Sequence, residues 1–361
     1  QQVINMGRKF LIIDDSALMR RVISDIIKLN SEYEVLDTAV DGVDGLDKLV
    51  AHPGYYDLVI LDINMPKMNG LEMLEMLQKN HMHEAVVVVS TVAIEGAKET
   101  LRALELGALD FVKKPENFYE VKGDGFKNKI LKVIEMVTGS DFNRVPVATM
   151  PTHTDVRVHV PVKRVKPGTN KIVAIACSTG GPKSLQHVIP YLPENLDAGV
   201  VLVQHMPKGF TASLAMRLNS LSKAVVKEAE DGEVIAQGHV YIAPGGMHII
   251  IAQSGKNHVI RYSDQPPVDG LRPCANIMFE SLSDTDYDDI TCVVLTGMGA
   301  DGTKGIQSLV DKGRRVHVIA QDAESCIVYG MPRAIAEAGL ANEIQPLNKI
   351  SESIIKNVGV M

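Results

Sequence analysis

The feature that most constrains the fold of this chain is a rhythm in its first 138 residues. Five short aliphatic runs, at 10–13, 35–40, 58–61, 86–89 and 109–112, alternate with stretches of helical periodicity. Ser16 is placed to cap a helix carrying Leu18, Val22, Ile26 and Leu29 on one face, and Val43, Leu46, Leu49 and Val50 mark a second face. Residues 70–79, the set Ala97, Leu101 and Leu104, and residues 130–137 supply three more helices. Strands that are apolar on both sides and separated by helices predict a parallel sheet covered on both faces. Right-handed crossovers then bring the C-terminal end of every strand to one edge.

At 361 residues the chain is long enough for two domains, and charge locates the seam. Residues 1–138 carry net charge −6, residues 139–170 carry +3 with four prolines and few large apolar groups, and residues 171–361 carry −4. The middle stretch reads as a linker between two α/β domains, although its 156–162 segment alternates like a strand. A total of −7, with 4% aromatic residues and no Trp, disfavours a chain built to hold nucleic acid or an anionic membrane. The densest apolar run, 85–89, is only strand length, so no membrane insertion is expected. The four cysteines form no CxxC pair or disulfide framework and the first residues lack an apolar leader, so a cytoplasmic setting is expected.

The predicted edge of the first domain collects chemistry. Asp14 and Asp15 follow the first strand, Asp62 the third, Ser90 the fourth and Lys114 the fifth. Three carboxylates in one crevice call for a cation, and oxygen ligands with room for water suit Mg²⁺. A carboxylate on the metal's open side can attack a phosphoryl group while the metal and a lysine neutralise the charge that develops. The segments IIDDS, LVILDINMPKMNG, VVVVST and DFVKKP closely resemble the receiver domain of two-component response regulators, over residues 8 to about 135. That resemblance implies a flavodoxin-like fold with Asp62 as phosphoacceptor. It implies Mg²⁺ ligation by Asp15, Asp62 and the carbonyl of Asn64, with Asp14 in the outer shell. It also implies that Ser90 senses the phosphoryl oxygens and Lys114 pairs with them.

The second domain opens with a strand at 172–176, a Cys177-Ser178-Thr179-Gly180-Gly181-Pro182 turn and a helical stretch at 183–188. Such a turn aims backbone N–H groups at its occupant, which fits either phosphate binding or a serine beside an oxyanion hole. The glycines match neither GxGxxG nor GxSxG. A strand at 199–203 ends at His205, and one at 290–295 leads into a glycine-rich turn holding Asp301. A serine, a histidine and an aspartate at three strand ends are the parts of a nucleophile, its base and the base's orienter. Amides near Met298 and Gly299 are candidate oxyanion donors. A thiol nucleophile at Cys177 is disfavoured, because adjacent side chains in an extended segment point apart.

The segments IACSTGGP, VLVQHMPKGFT, YIAPGGMH and VLTGMGADG closely resemble the catalytic domain of the chemotaxis response regulator protein-glutamate methylesterases, the CheB family, over nearly all of 171–340. The resemblance implies a Rossmann-like, doubly wound serine hydrolase that removes methyl esters from glutamyl side chains of chemoreceptors and releases methanol. Ser178, His205 and Asp301 carry the catalysis in that reading, and Thr179 supports the oxyanion. Ala176-Cys177 stands where the family commonly has Gly-Ala. Implied partners are a sensor histidine kinase and the cytoplasmic region of the receptors, with no cofactor in the catalytic domain. A switch module tethered to an enzyme suggests that the unphosphorylated receiver restricts access to Ser178. Two other outputs stay open at this level: glutaminyl deamidation through the same acyl intermediate, and a binding role on DNA. The latter is opposed by the net charge and the lack of a helix-turn-helix pattern. His81 and His83, the acidic run 284–289, Arg314-Arg315 and the sixteen methionines are read as surface, turn or core features.

Overall fold

Parallel pairing of the short aliphatic runs builds the first unit. In a computed structural model that describes residues 7–90, 94–117, 120, 123–139 and 170–361, the chain divides into units Gln1–Val147 and Ala148–Met361. The expected linker, 139–170, lies outside the described residues except at its two ends, as does the alternating 156–162 segment. Strands β1 (Arg8–Ile13), β2 (Tyr33–Ala39), β3 (Leu58–Asp62), β4 (Val86–Ser90) and β5 (Asp110–Lys113) pair in the order β2-β1-β3-β4-β5, all parallel. Every residue of β3 and β4 is buried, as strands covered on both faces require. Helices α1 (Ala17–Ile27) and α5 (Asp124–Thr138) pack on each other, while α2 (Gly42–Ala51), α3 (Gly70–Lys79) and α4 (Ile94–Glu105) form a second row.

Two helix faces differ from expectation. In α1 the core side is Met19, Ile23, Ile26 and Ile27, whereas Leu18 and Leu29 are 56% and 65% exposed. Both sets satisfy helical spacing, and the Ser16 cap, accepting from the Met19 amide at 3.3 Å, starts the helix without choosing between them. In α2 the buried positions are Gly42, Gly45 and Leu49, and Val43 and Val50 face solvent. Two of those three buried positions carry no side chain, so the apolar pattern passes over them.

The second unit contains β6 (Lys171–Cys177), α6 (Gly181–Gln186), β7 (Gly199–Gln204), α7 (Phe210–Leu221), β8 (Val225–Glu228) and β9 (His239–Ile242). The hairpin strands β10 (His248–Ser254) and β11 (Asn257–Ser263) and helix α8 (Ala275–Ser281) follow. It is completed by β12 (Asp289–Val294), α9 (Thr303–Asp311), β13 (Val316–Gln321), α10 (Met331–Glu337), β14 (Glu343–Gln345) and α11 (Ile350–Val358). Seven strands pair in the order β14-β13-β12-β6-β7-β9-β8, all parallel, and β10 and β11 form a separate antiparallel ribbon. The chain leaves β6 toward β7 on one side and returns to β12 on the other. The sheet's switch point therefore lies at the C-terminal ends of β12, β6 and β7. β6 and β7 are wholly buried, and Ile172, Val201, Met278, Phe279 and Ile306 share one apolar cluster. Both units are thus α/β with doubly wound parallel sheets. Among the described residues no helix is long and apolar enough to cross a membrane.

The observed α1 face gives a direct test. Ile23→Ala should destabilise the first unit by about 2–4 kcal/mol, while Leu18→Ala should change it by less than about 0.5 kcal/mol, read from urea unfolding monitored by hydrogen exchange. A larger cost at Leu18 than at Ile23 would mean the helix is turned the other way.

Candidate functional site

Register places the first cluster. Ile13 pairs with Leu61, so Asp14 and Asp15 beyond β1 stand level with Asp62 at the end of β3. One oxygen from each of the three carboxylates lies within 4.8 Å of the others. Lys114 Nζ sits 2.6 Å from Asp62 Oδ2 and 3.0 Å from Asp14 Oδ2. The Ser16 amide donates to Asp14 Oδ1 at 2.8 Å and the Asn64 amide to Asp62 Oδ1 at 3.4 Å. One ammonium bridges two of the three acids. Burial pushes the Asp62 carboxyl up to about 6 despite Lys114, and the charge on Asp14 adds to the rise. An all-oxygen set with excess negative charge fits a hard divalent cation such as Mg²⁺.

Ser90 and Lys114 reach the same edge. Asp62 pairs in register with Val89, one residue before Ser90, and the Lys114 amide donates to Ser90 O at 2.7 Å. The Ser90 hydroxyl accepts from Thr100 Oγ1 at 2.6 Å, so its oxygen is held by α4. Asn64 Nδ2 contacts Glu99 Oε2 at 3.3 Å, which ties the β3–α3 loop to α4 as well.

The second cluster lies at the β12-β6-β7 edge. Ser178 follows β6, His205 follows β7, and Asp301 stands in the turn after β12. His205 Nε2 and Asp301 Oδ2 are 2.8 Å apart, which leaves Nδ1 as the ring nitrogen with a lone pair to offer. Backbone bonds bring the serine turn and the histidine together. The His205 amide donates to Cys177 O at 3.2 Å, and Gln204 Nε2 donates to both Ser178 O (3.0 Å) and His205 O (3.2 Å). Among the described residues no hydrogen bond joins the Ser178 hydroxyl to the imidazole directly. Asp301 is buried and accepts four donors: His205, the Ala275 and Asn276 amides at 2.6 and 2.9 Å, and Cys274 Sγ at 3.1 Å. Burial alone would push its carboxyl up. The His205 ring and the two amides outweigh that and hold it down at about 2.

Two glycines permit this geometry. A side chain at Gly181 would strike the Gln204 carboxamide, and one at Gly297 would meet Ser178 Cβ at 2.8 Å. The turn containing Met298 and Gly299 is pinned from behind. The Gly297 amide donates to Val328 O at 3.0 Å, and Gly297 O accepts from the Gly330 and Met331 amides at 3.1 and 2.8 Å. Thr179 O accepts from the buried Thr296 hydroxyl at 3.1 Å.

Several supporting residues escaped the sequence reading: Gln204, Thr296, Cys274, Asn276, His248 and the 326–331 segment. Asn276 Oδ1 accepts from the Gly302 and Gly305 amides at 3.0 and 2.8 Å, fastening the turn that carries Asp301. Cys274 and Asn276 meet Asp301 across 27 and 25 positions, and Gln204 meets Ser178 across 26, which leaves no local spacing to detect. Cys177 is fully buried with its thiol on Gln204 Oε1 at 3.0 Å, and burial pushes that thiol up, so it is protonated and enclosed. Arg314 spends its guanidinium on the carbonyls of Thr285 and Tyr287.

Residues 173–354 match the CheB methylesterase family and residues 10–123 the response regulator receiver domain. The protein-glutamate methylesterase/protein-glutamine glutaminase of Geobacillus kaustophilus is 42% identical over 97% of this chain and 99% of its own length. The protein of the same name from Bacillus subtilis is 40% identical over 96% and 97%. The crystal structure of the Thermotoga maritima CheB methylesterase catalytic domain is 44% identical, covering 53% of this chain and all of its own, with a TM-score of 0.51. This chain belongs to the CheB methylesterase family and carries a response regulator receiver domain ahead of the methylesterase domain.

Proposed function

We propose that this chain is a phosphorylation-activated hydrolase that removes methyl esters from glutamyl side chains in the cytoplasmic region of chemoreceptors, releasing methanol during chemotaxis adaptation. The observation that carries the reading is the 2.8 Å His205–Asp301 pair at the strand edge that also holds Ser178. The names of the full-length relatives support the substrate class. Ser178 Oγ attacks the ester carbonyl as His205 Nδ1 takes its proton. Asp301 holds the ring in the tautomer with hydrogen on Nε2 and steadies the imidazolium that forms. Amides of the Ser178–Thr179 turn and around Met298 and Gly299 stabilise the oxyanion. Collapse expels methoxide, which leaves as methanol with the proton from His205. Water, deprotonated by the same ring, then attacks the acyl-enzyme and releases a glutamyl carboxylate and free Ser178. With a glutaminyl amide the same sequence expels ammonia, and the double name of the relatives favours that second activity.

In the receiver domain, Asp62 accepts a phosphoryl group from a sensor histidine kinase. Lys114 is placed to pair with the phosphoryl oxygens and Ser90 to sense them. Mg²⁺ held by Asp15, Asp62 and the Asn64 carbonyl, with Asp14 behind, would supply charge neutralisation to that transfer. The protein works in the cytoplasm, where its kinase and the receptor segments are found.

Methanol release from methyl-esterified receptor fragments should fall by about 10³-fold or more in Ser178→Ala and rise in wild type on adding a small-molecule phosphodonor with Mg²⁺. Release that persists in Ser178→Ala would remove the serine mechanism.

Asp62→Asn should keep basal release but lose both phosphoryl uptake and stimulation by the donor. Chelating Mg²⁺ should block uptake in wild type reversibly. Uptake of label by the Asn variant would place the acceptor elsewhere.

Asp301 is depressed in the folded state, so the stability it contributes is present above its unfolded value near pH 4 and is lost as pH falls toward about 2. The unfolding free energy of wild type should therefore drop more steeply than that of Asp301→Asn across that window, the gap closing by about 2 kcal/mol. Parallel acid profiles would show that the carboxylate is not held as described.

A further inference from the structure

The carboxylate that orients His205 is supplied with donors almost entirely by one short stretch, residues 274–276. Asp301 Oδ2 takes the Ala275 amide at 2.6 Å and His205 Nε2 at 2.8 Å. Oδ1 takes the Asn276 amide at 2.9 Å and Cys274 Sγ at 3.1 Å. Each oxygen thus receives two donors, which fills the acceptor capacity of a carboxylate. Three of the four come from backbone or from the catalytic base. Cys274 is the exception, a side chain that nothing in the reaction otherwise uses. It is buried, and burial together with the charge on Asp301 pushes its thiol up to about 12, so at working pH it keeps its proton and can only donate.

Cys274 is itself clamped. Its amide donates to His248 Nδ1 at 3.1 Å, and His248 Nε2 lies 3.2 Å from Pro266 O. The ring is fully buried, and desolvation lowers its affinity for a proton, which keeps Nδ1 free to accept. A line of bonds therefore runs from Pro266 through His248 and Cys274 to Asp301 and then to His205.

We propose that Cys274 is a positioning residue for the hydrolytic reaction, its thiol fixing the rotation of the Asp301 carboxylate so that Oδ2 stays on His205. The inference rests on the triad reading of Ser178, His205 and Asp301. Without the thiol, Oδ1 has only the Asn276 amide, and the carboxylate can swing its plane away from the imidazole. The loss falls on the step in which His205 gains a proton, and so on kcat, while substrate binding is untouched.

The test uses the full chain and methanol release from methyl-esterified receptor fragments at saturating and limiting substrate. Cys274→Ala should lower kcat by about fivefold with KM unchanged, the effect of losing one weak donor to a charged group. Cys274→Ser removes the same sulfur but keeps an O–H donor, so it should recover most of the rate. Equal rates for wild type and Cys274→Ala would overturn the inference. A fall in Cys274→Ser as deep as in Cys274→Ala would also overturn it, because the sulfur would then matter only as packing. If Ser178→Ala releases methanol at the wild-type rate, the triad reading fails and this inference falls with it.

Discussion

A carboxylate removed from water has to be matched by donors or by a cation, and both units of this chain are organised around that requirement. The hydrolase unit meets it from within. Asp301 collects four donors, and its carboxyl is held down at about 2 despite burial. The receiver unit leaves it unmet. Asp14 and Asp62 share the Lys114 ammonium with Asp15 close beside them, and burial lifts Asp62 to about 6. The first arrangement is a finished tool, rigid and saturated. The second is a site whose negative charge is left unmatched from within.

Sheet topology decides where each of these clusters stands. In the first unit the order β2-β1-β3-β4-β5 sets β1 beside β3, and that adjacency brings Asp14 and Asp15 to Asp62. In the second, β12, β6 and β7 are neighbours although nearly a hundred residues separate His205 from Asp301. Parallel strands cannot be joined by tight turns, so their connections are long and leave loops at the carboxyl edge. The loops there carry the polar side chains, while β3, β4, β6 and β7 beneath them are wholly buried.

Much of this was legible in the sequence, and the limits have physical causes. The first unit's strands were readable because β-branched runs at 86–89 and elsewhere are too short and too apolar for anything but buried strands. Ser178, His205 and Asp301 could be singled out because each ends such a run. The α1 face was misjudged because leucines at 18 and 29 obey the helical period as well as Met19 and Ile23 do, and only the sheet decides which side is covered. In α2 the contact is made by glycines, which an apolar pattern cannot register. The hairpin β10–β11 and the edge strands of the second sheet went unread. Gln204, His248, Cys274 and Asn276 lay beyond reach for another reason: their work is done on partners far along the chain, and each in isolation resembles an ordinary polar or small residue.

Gln204 holds its two loops with a single orientation of its side-chain amide. Cys177 Sγ donates to Oε1, and Nε2 donates to the carbonyls of Ser178 and His205. Exchanging that nitrogen for oxygen would leave every atom in place yet set a negative oxygen against two carbonyls, and the clamp would become a wedge. A glutamine-to-glutamate change, by one base of the gene or by slow chemical ageing of the amide, is therefore among the smallest alterations that push the turns carrying Ser178 and His205 apart. The distance between a working and a spoiled site is, at this position, one heavy atom.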